Sequence, residues 1–186
     1  KLTKVEQAYI LLCLGLDFRK GGFVDRALEA FTEVLRFDQS NQYALLNLEK
    51  LYEEQQQWQN AYDTRQRIAA LADETQKPKH EAILAFLETQ LGLQVSGQAS
   101  PPKAMSHFKA AIDLDPAAVP AYLNLGDLQR QEGLLNEAVS TWEQVPRIAP
   151  DKAYLVFDRL ENAADEQGDK DRFPVLCCRL MDANPQ

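Results

Sequence analysis

The residues of this chain that could do chemistry are few and widely separated. It has two histidines, His80 and His107, and three cysteines, Cys13, Cys177 and Cys178. A catalytic site needs a nucleophile and a base within reach of each other, and neither histidine has a cysteine or a patterned acid beside it in sequence. No C-x-x-C pair indicates zinc, and no glycine-rich loop indicates phosphate. We predict that the chain is not an enzyme and holds no cofactor.

Composition limits the elements that position these residues. The 186 residues are 45% hydrophobic and 26% charged, which is typical of a globular domain. Leu, Ala, Glu and Gln are abundant, while only 8 Gly and 9 Pro are present, which predicts helices. No apolar run reaches the roughly 20 residues that span a bilayer, so this segment is not expected to insert into a membrane.

The net charge limits which partners the chain can bind, and the number of cysteines indicates the cellular compartment. The net charge of -8 argues against nucleic acid, which requires clustered Lys and Arg. An odd number of cysteines, two of them adjacent, indicates a reducing compartment, and we predict a cytoplasmic location. The chain begins at Lys1 without an initiator Met or a signal segment, so we expect a fragment of a longer protein.

Small residues, alanines and aromatics recur with a period of about 34 residues. A small residue is followed after twelve residues by Ala, after four more by an aromatic, and after eight more by Pro. The second copy retains an apolar pattern but has neither the Gly nor the Pro. The copies read Gly15, Ala27 and Phe31; Leu48, Tyr52, Trp58, Ala61 and Ile68; Gly92, Ala104, Phe108 and Pro116; and Gly126, Ala138, Trp142 and Pro150.

This spacing matches the tetratricopeptide (TPR) pattern, in which small residues let two antiparallel helices approach closely. The predicted fold class is all-α, a right-handed α-solenoid of about five TPR helix pairs forming a single array over residues 1–186. The predicted units are 8–41, 42–75, 85–118, 119–152 and 154–186. The last unit is shifted by one residue.

Prolines mark the departures from this period. Pro78 lies near the start of an apolar-periodic run, which predicts one extended helix over residues 78–96. Pro101 and Pro102 should open the next helix, and Pro146 should end or bend a helix at Val145. Trp58, Trp142 and Cys177 fall on core positions of the repeat and are interpreted as packing residues.

TPR arrays mostly bind peptides or proteins along the first helices of their units. The carboxylate clamp that some members use for chaperone tails is rejected, because Leu12 and Leu16 occupy the places of its polar residues. By resemblance to the family, the groove candidates are Tyr9, Leu12, Leu16, Arg19, Lys20, Tyr43, Leu46, Lys50, Phe86, Leu93, Leu123 and Arg130.

A narrower resemblance covers essentially the whole chain. The first unit resembles a stretch of the LapB family, the bacterial lipopolysaccharide assembly proteins B, and the order of later features agrees, including the nine-residue insertion at 76–84. The residues that carry the resemblance are Leu2, Thr3, Glu6, Gln7, Leu14, Gly15, Asp17, Gly22, Asp25, Arg26 and Ala27, then Leu51, Tyr52, Trp58 and Ala61, then Lys79, His80, Glu81 and Ala82.

The resemblance implies a bacterial adaptor on the cytoplasmic face of the inner membrane. Members of the family have an N-terminal membrane anchor and a C-terminal rubredoxin-like metal-binding module, both outside these residues. They help the protease FtsH to degrade LpxC, so the implied partners are LpxC and FtsH. The chain would then raise the effective concentration of the protease near its substrate.

Two other functions remain open. The chain can be the interaction module of a TPR-bearing enzyme, such as a protein glycosyltransferase, or a generic scaffold in a bacterial envelope complex. Because the ends of a repeat array expose apolar helix faces, association of the chain with a second copy is also expected to be feasible.

Overall fold

The protein is represented by a computed structural model that describes residues 2–98, 100–168 and 174–175. Within these residues all regular secondary structure is helical, and the all-α fold class is confirmed. Short 3-10 helices cover Glu74–Gln76 and Pro150–Val156. The α-helices are α1 (Lys4–Lys20), α2 (Val24–Phe37), α3 (Gln42–Glu54), α4 (Trp58–Ala70), α5 (Lys77–Ser96), α6 (Pro101–Leu114), α7 (Val119–Gln131), α8 (Leu135–Trp142), α9 (Val145–Ile148) and α10 (Phe157–Gln167).

The chain divides into two compact units, residues 1–87 and residues 88–186. In the first unit, α1 packs on α2, α2 on α3, and α3 on α4. Its core includes the fully buried side chains of Phe31, Leu45 and Leu51. Consecutive helices therefore form pairs that stack through apolar faces, as the 34-residue period predicts.

The second unit has the same pairwise organisation. Helix α6 packs on α7, and α7 packs on α8. Trp142, Val145 and Val156 are fully buried in its core, and Leu160 of α10 packs against the same cluster. The remainder of the predicted unit 154–186, including Cys177 and Cys178, lies almost entirely outside the described residues.

Polar side chains and turns set where the helices begin and end. The Thr3 hydroxyl accepts a hydrogen bond from the Glu6 amide at 3.3 Å, and the Glu6 carboxylate accepts one from the Thr3 amide at 2.7 Å, so α1 begins with a capping box. The Asn41 side chain accepts from the Ala44 amide at 3.0 Å and caps α3. These bonds satisfy donors that the first turn of a helix cannot satisfy itself.

Helix α5 is the longest element, with 20 residues. It runs from Lys77 to Ser96, where the sequence indicated a helix over residues 78–96. Pro78 lies in its first turn, a position at which the missing N–H breaks no helical hydrogen bond. Pro101 and Pro102 open α6, as predicted.

The expectation for Pro146 was wrong in its position. Helix α8 ends at Trp142, three residues before Val145, and Pro146 lies in the first turn of the short helix α9. The amides of Arg147 and Ile148 both donate to the Gln144 carbonyl, at 3.0 Å each. Pro146 therefore starts a new helix, because its fixed φ suits a first turn better than a helix end.

Candidate protein-binding surface

The repeat positions that hold a glycine and an aromatic ring bring the two helices of a unit into close contact. A Cβ atom added at Gly15 would lie 2.7 Å from the ring of Phe31, and one added at Gly92 would lie 2.5 Å from the ring of Phe108. Both rings are almost completely buried. The first helix can therefore carry no side chain at this position while the ring occupies the space.

The 42–75 repeat has different residues at these two positions. Glu49 stands 34 residues after Gly15, and Arg65 stands 34 residues after Phe31. Arg65 donates from Nε to Glu49 Oε1 at 2.6 Å and from Nη2 to Oε2 at 2.5 Å. The two side chains are 8% and 3% exposed, so this is a buried bidentate ion pair. Burial outweighs the attraction of Arg65 and raises the pKa of Glu49.

His80 extends this ion pair from α3 and α4 to the beginning of α5. Its Nδ1 lies 3.2 Å from Arg65 Nη1. A guanidinium can only donate, so Nδ1 accepts and the proton of the neutral ring resides on Nε2. His80 is 7% exposed, and its Nε2 has no hydrogen-bond partner among the described residues. Burial, followed by the charges of Arg65 and Lys79, lowers the pKa of His80.

The other histidine also joins two helices. His107 of α6 lies with Nδ1 2.8 Å from Glu88 Oε2 of α5, and both side chains are largely buried. Sequence reasoning missed the partners of both histidines, because each contact joins residues 15 or more positions apart. One signal was present for the buried pair: Glu49 and Arg65 are 16 positions apart, the same spacing as Gly15 and Phe31.

Three aromatic residues recur at one repeat position and are exposed. Tyr9 on α1, Tyr43 on α3 and Phe86 on α5 are 67%, 72% and 48% exposed. We call them the aromatic row. All three belong to the first compact unit and were predicted groove residues. Phe86 packs edge-on against Trp58 of α4, with ring centroids 6.3 Å apart, so its ring is partly fixed in place.

Aliphatic side chains accompany the aromatic row on the first two of these helices. Leu16 is 37% exposed and Leu46 is 45% exposed. Leu12 is partly buried and packs against the core of the first unit. Tyr9 and Leu12 also line a cavity of about 250 Å³ together with Lys4, Val5, Ala8, Phe37, Asp38 and Asn41. Apolar surface with adjacent polar groups is typical of peptide-binding grooves.

Charged groove candidates differ in what they already contact. Arg19 donates to Asn47 Oδ1 at 3.0 Å and to Glu54 Oε1 at 2.7 Å, so it joins α1 to α3. The Asn47 amide donates to the Tyr43 carbonyl, which leaves this side chain engaged within the protein. Lys20 and Lys50 are exposed. Arg19 therefore orders the surface, whereas the two lysines present charge to solvent.

The candidates in the second unit are fewer and less exposed. Leu93 on α5 is 43% exposed, while Leu123 is partly buried against the core. Arg130 pairs with Glu166 of α10. Asp127 accepts two hydrogen bonds from Arg159, at 2.6 and 2.7 Å, and this carboxylate raises the pKa of Arg159. Here the charged side chains mainly join α7 to α10.

Comparison with family models agrees with this arrangement. Two models, both described as tetratricopeptide repeat, match residues 44–79 and 97–155. The chain therefore belongs to the tetratricopeptide repeat proteins, whose members typically serve as protein-interaction scaffolds. The crystal structure of MamA protein covers 95% of this chain and 91% of its own, with a TM-score of 0.55 and 21% identity. That likeness shows the fold alone.

Curated relatives fall into two groups. Lipopolysaccharide assembly protein B of Escherichia coli K12 is 25% identical over 160 residues, which is 86% of this chain and 39% of that protein. Human protein O-mannosyl-transferase TMTC1 is 27% identical over 130 residues, which is 67% of this chain and 14% of that protein. The chain thus spans well under half of either relative. Among the described residues, no helix is long and apolar enough to cross a bilayer.

Proposed function

We propose that this chain is the interaction region of a LapB-like adaptor, which binds a protein partner and catalyses no reaction. The observation that carries the proposal is the aromatic row: Tyr9, Tyr43 and Phe86 are large, exposed and repeated at one position. Exposed aromatics with adjacent leucines are the usual anchors of protein interfaces. The similarity over 86% of the chain to lipopolysaccharide assembly protein B supports the adaptor reading.

By that resemblance, the partners are LpxC and FtsH, and the site of action is the cytoplasmic face of the inner membrane. The anchor and the metal-binding module would be supplied by segments outside these residues. The chain would hold substrate and protease together, which raises the rate of encounter without any chemistry of its own.

Binding of purified LpxC and of the soluble part of FtsH to this chain tests the proposal. Replacing both Tyr9 and Tyr43 by Ala should weaken binding at least tenfold, because truncating an anchor residue of an interface typically costs about 2 kcal/mol or more. Both side chains are exposed, so the unfolding midpoint should stay unchanged.

Tyr154→Ala is the matched control, since Tyr154 is also exposed, at 65%, and belongs to the second compact unit rather than to the aromatic row. Binding that is lost equally in the Tyr154 variant, or retained in the double variant, contradicts the assignment of the surface. Failure of both LpxC and FtsH to bind the unaltered chain contradicts the LapB-like role.

A second candidate is favoured by the similarity to TMTC1. In this case the chain is the interaction module of a larger protein-modifying enzyme, and its partner is that enzyme's substrate. The coding sequence that flanks these residues separates the two candidates. Paired C-x-x-C motifs downstream support the adaptor, whereas a catalytic domain in the same reading frame supports the enzyme module.

A further inference from the structure

Two side-chain contacts join the first half of α5 to α4, in addition to the burial of its residues Leu84, Ala85 and Leu87. Near the beginning of α5, His80 contacts Arg65, and two turns later Phe86 contacts Trp58. Since the residue numbers rise along α5 while they fall along α4, the two helices are antiparallel here. His80 is the only one of these attachments whose charge can change near neutral pH.

The hydrogen bond between Arg65 and His80 requires a neutral imidazole. Its Nδ1 must offer a lone pair to the guanidinium, and protonation at Nδ1 would place two donors and two positive charges 3.2 Å apart. Because the ring is 7% exposed, water cannot replace the lost bond without movement of the helix. Nε2 already carries its proton, so the ring cannot take up a proton anywhere else.

The charged groups around His80 lie on helices α3, α4 and α5. Arg65 lies on α4, Glu49 and Glu53 lie on α3, and Lys79 precedes His80 on α5 itself. Both oxygens of Glu49 accept from Arg65, so this carboxylate is already committed, and Arg65 is the charge at hydrogen-bond distance from the ring. Burial raises the pKa of Glu53, and the charges of Arg65 and Lys50 oppose that rise.

We propose that His80 makes the attachment of the first half of α5 to α4 dependent on pH, with the helix held more tightly when the ring is neutral and loosened when it is protonated. This device is independent of the identity of any partner. It acts on the aromatic row as well, because Phe86 lies in the same half of α5. Mild acidification would therefore loosen one of the three exposed aromatic residues while the other two stay in place.

Proton linkage determines whether the contact of His80 strengthens or weakens as the pH falls. The pKa of His80 is lower in the folded protein than the ordinary value of 6.5. The contact is therefore at full strength above about pH 6.5 and is lost as the pH falls through the lower folded value. Between these two values, the equilibrium constant for opening the helix increases by up to about tenfold for each unit by which the pH falls.

Hydrogen exchange of the amides of residues 81–86, corrected for the intrinsic effect of pH, measures this opening constant in the whole chain. We expect it to increase several-fold between pH 7.5 and pH 5.5. In His80→Asn, the side-chain oxygen can accept from Arg65 at every pH, and the increase should largely disappear. Glu49 and Glu53 are retained in that variant, so the difference between the two proteins isolates the histidine.

His107→Gln removes the other histidine and should leave the pH dependence of residues 81–86 unchanged. Direct NMR titration of the His80 ring is the second measurement, needed if His80→Asn does not fold. Titration below about 6.5 supports the device. Titration at or above that value, an opening constant that does not change with pH, or equal pH dependence in His80→Asn overturns it.

Discussion

Glu49 and Arg65 pair at the two repeat positions where the units on either side place a glycine and an aromatic ring. At these positions the interaction that joins the two helices of the unit changes from ring packing on a glycine to a bidentate ion pair. The corresponding apolar pairs are Gly15 and Phe31, Gly92 and Phe108, and Gly126 and Trp142.

The buried pair should respond differently to single and double replacement. Arg65→Met leaves the Glu49 carboxylate buried without its partner, which should lower the free energy of unfolding by about 3–5 kcal/mol. The double variant Glu49→Gly and Arg65→Phe recreates the pair found at Gly15 and Phe31, and should recover most of that loss. Urea denaturation of the three proteins measures the difference.

A double variant as unstable as Arg65→Met would contradict this expectation. That result would mean that the hydrogen bond from Arg65 to His80, which the double variant also removes, contributes more than the ion pair itself. His80→Leu in the unaltered background, whose side chain offers Arg65 no hydrogen-bond acceptor, gives the size of that contribution separately.

Close approach at Gly126 gives a prediction for the second unit. A Cβ there would lie 2.3 Å from Trp142 Nε1, and Trp142 is fully buried. Gly126→Ala should therefore lower the free energy of unfolding by about 1–3 kcal/mol, since the ring cannot move without disturbing its neighbours. Thermal unfolding followed by circular dichroism provides the measurement.

Gly97→Ala serves as the control for Gly126→Ala. The nearest atom to a Cβ at Gly97 is 3.5 Å away, which is an ordinary van der Waals contact. The two substitutions add the same methyl group, so equal loss of stability would show that crowding is not the cause.

The turn between α3 and α4 carries backbone strain that a single residue can relieve. Gln56 has a φ of 55°, whereas the equivalent turns place Gly22 and Gly133 at 76° and 78°. A side chain in this region costs roughly 1–2 kcal/mol, part of which is offset by the greater freedom of glycine in the unfolded chain. We expect Gln56→Gly to stabilise the protein by about 0.5–1 kcal/mol in chemical denaturation.

Gln55→Gly tests whether the gain in stability comes from the positive φ of Gln56 or from placing a glycine anywhere in this turn. Gln55 has a φ of −91°, which any residue adopts, so glycine there should destabilise slightly. A gain in both variants would remove backbone strain at Gln56 as the explanation.

We expect the charge of the proposed binding surface to affect partner affinity mainly through Lys20 and Lys50. Lys50→Glu and Lys20→Glu should weaken a partner complex several-fold at low salt, and the difference should shrink near 0.5 M salt, where the screening length is only about 4 Å. Lys152→Glu, also exposed but in the other unit, is the control. Titration calorimetry at two salt concentrations measures these affinities, and unchanged values for both lysine variants would contradict a charged contribution from this surface.

The repeat positions of small and aromatic residues predicted the fold because they reflect the close packing of the two helices within one repeat. Gly15 with Phe31 and Gly126 with Trp142 carry that signal directly. The extended helix could be anticipated from Pro78 and the apolar period that follows it. These features depend on local spacing, which the sequence displays without any knowledge of tertiary contacts.

The pair of Glu49 and Arg65 could not be predicted in the same way, since a charged pair in a buried position contradicts the hydrophobic pattern used to find the core. The end of α8 was misplaced because a proline is compatible with both a helix end and a first turn, and the proline alone does not distinguish them. For the groove, the sequence predicted candidate positions, of which Leu12 and Leu123 are partly buried against the cores. It did not indicate that Arg19 and Arg130 already bind carboxylates.

The two tryptophans of the chain lie in different compact units and in different surroundings. Trp142 is fully enclosed, whereas Trp58 is partly exposed and meets the edge of Phe86. An enclosed indole emits at shorter wavelength than one near water, so the two fluorescence signals are separable. The protein therefore contains its own optical label for each unit, and emission spectra recorded through a denaturant titration can report whether the two units unfold together or one after the other.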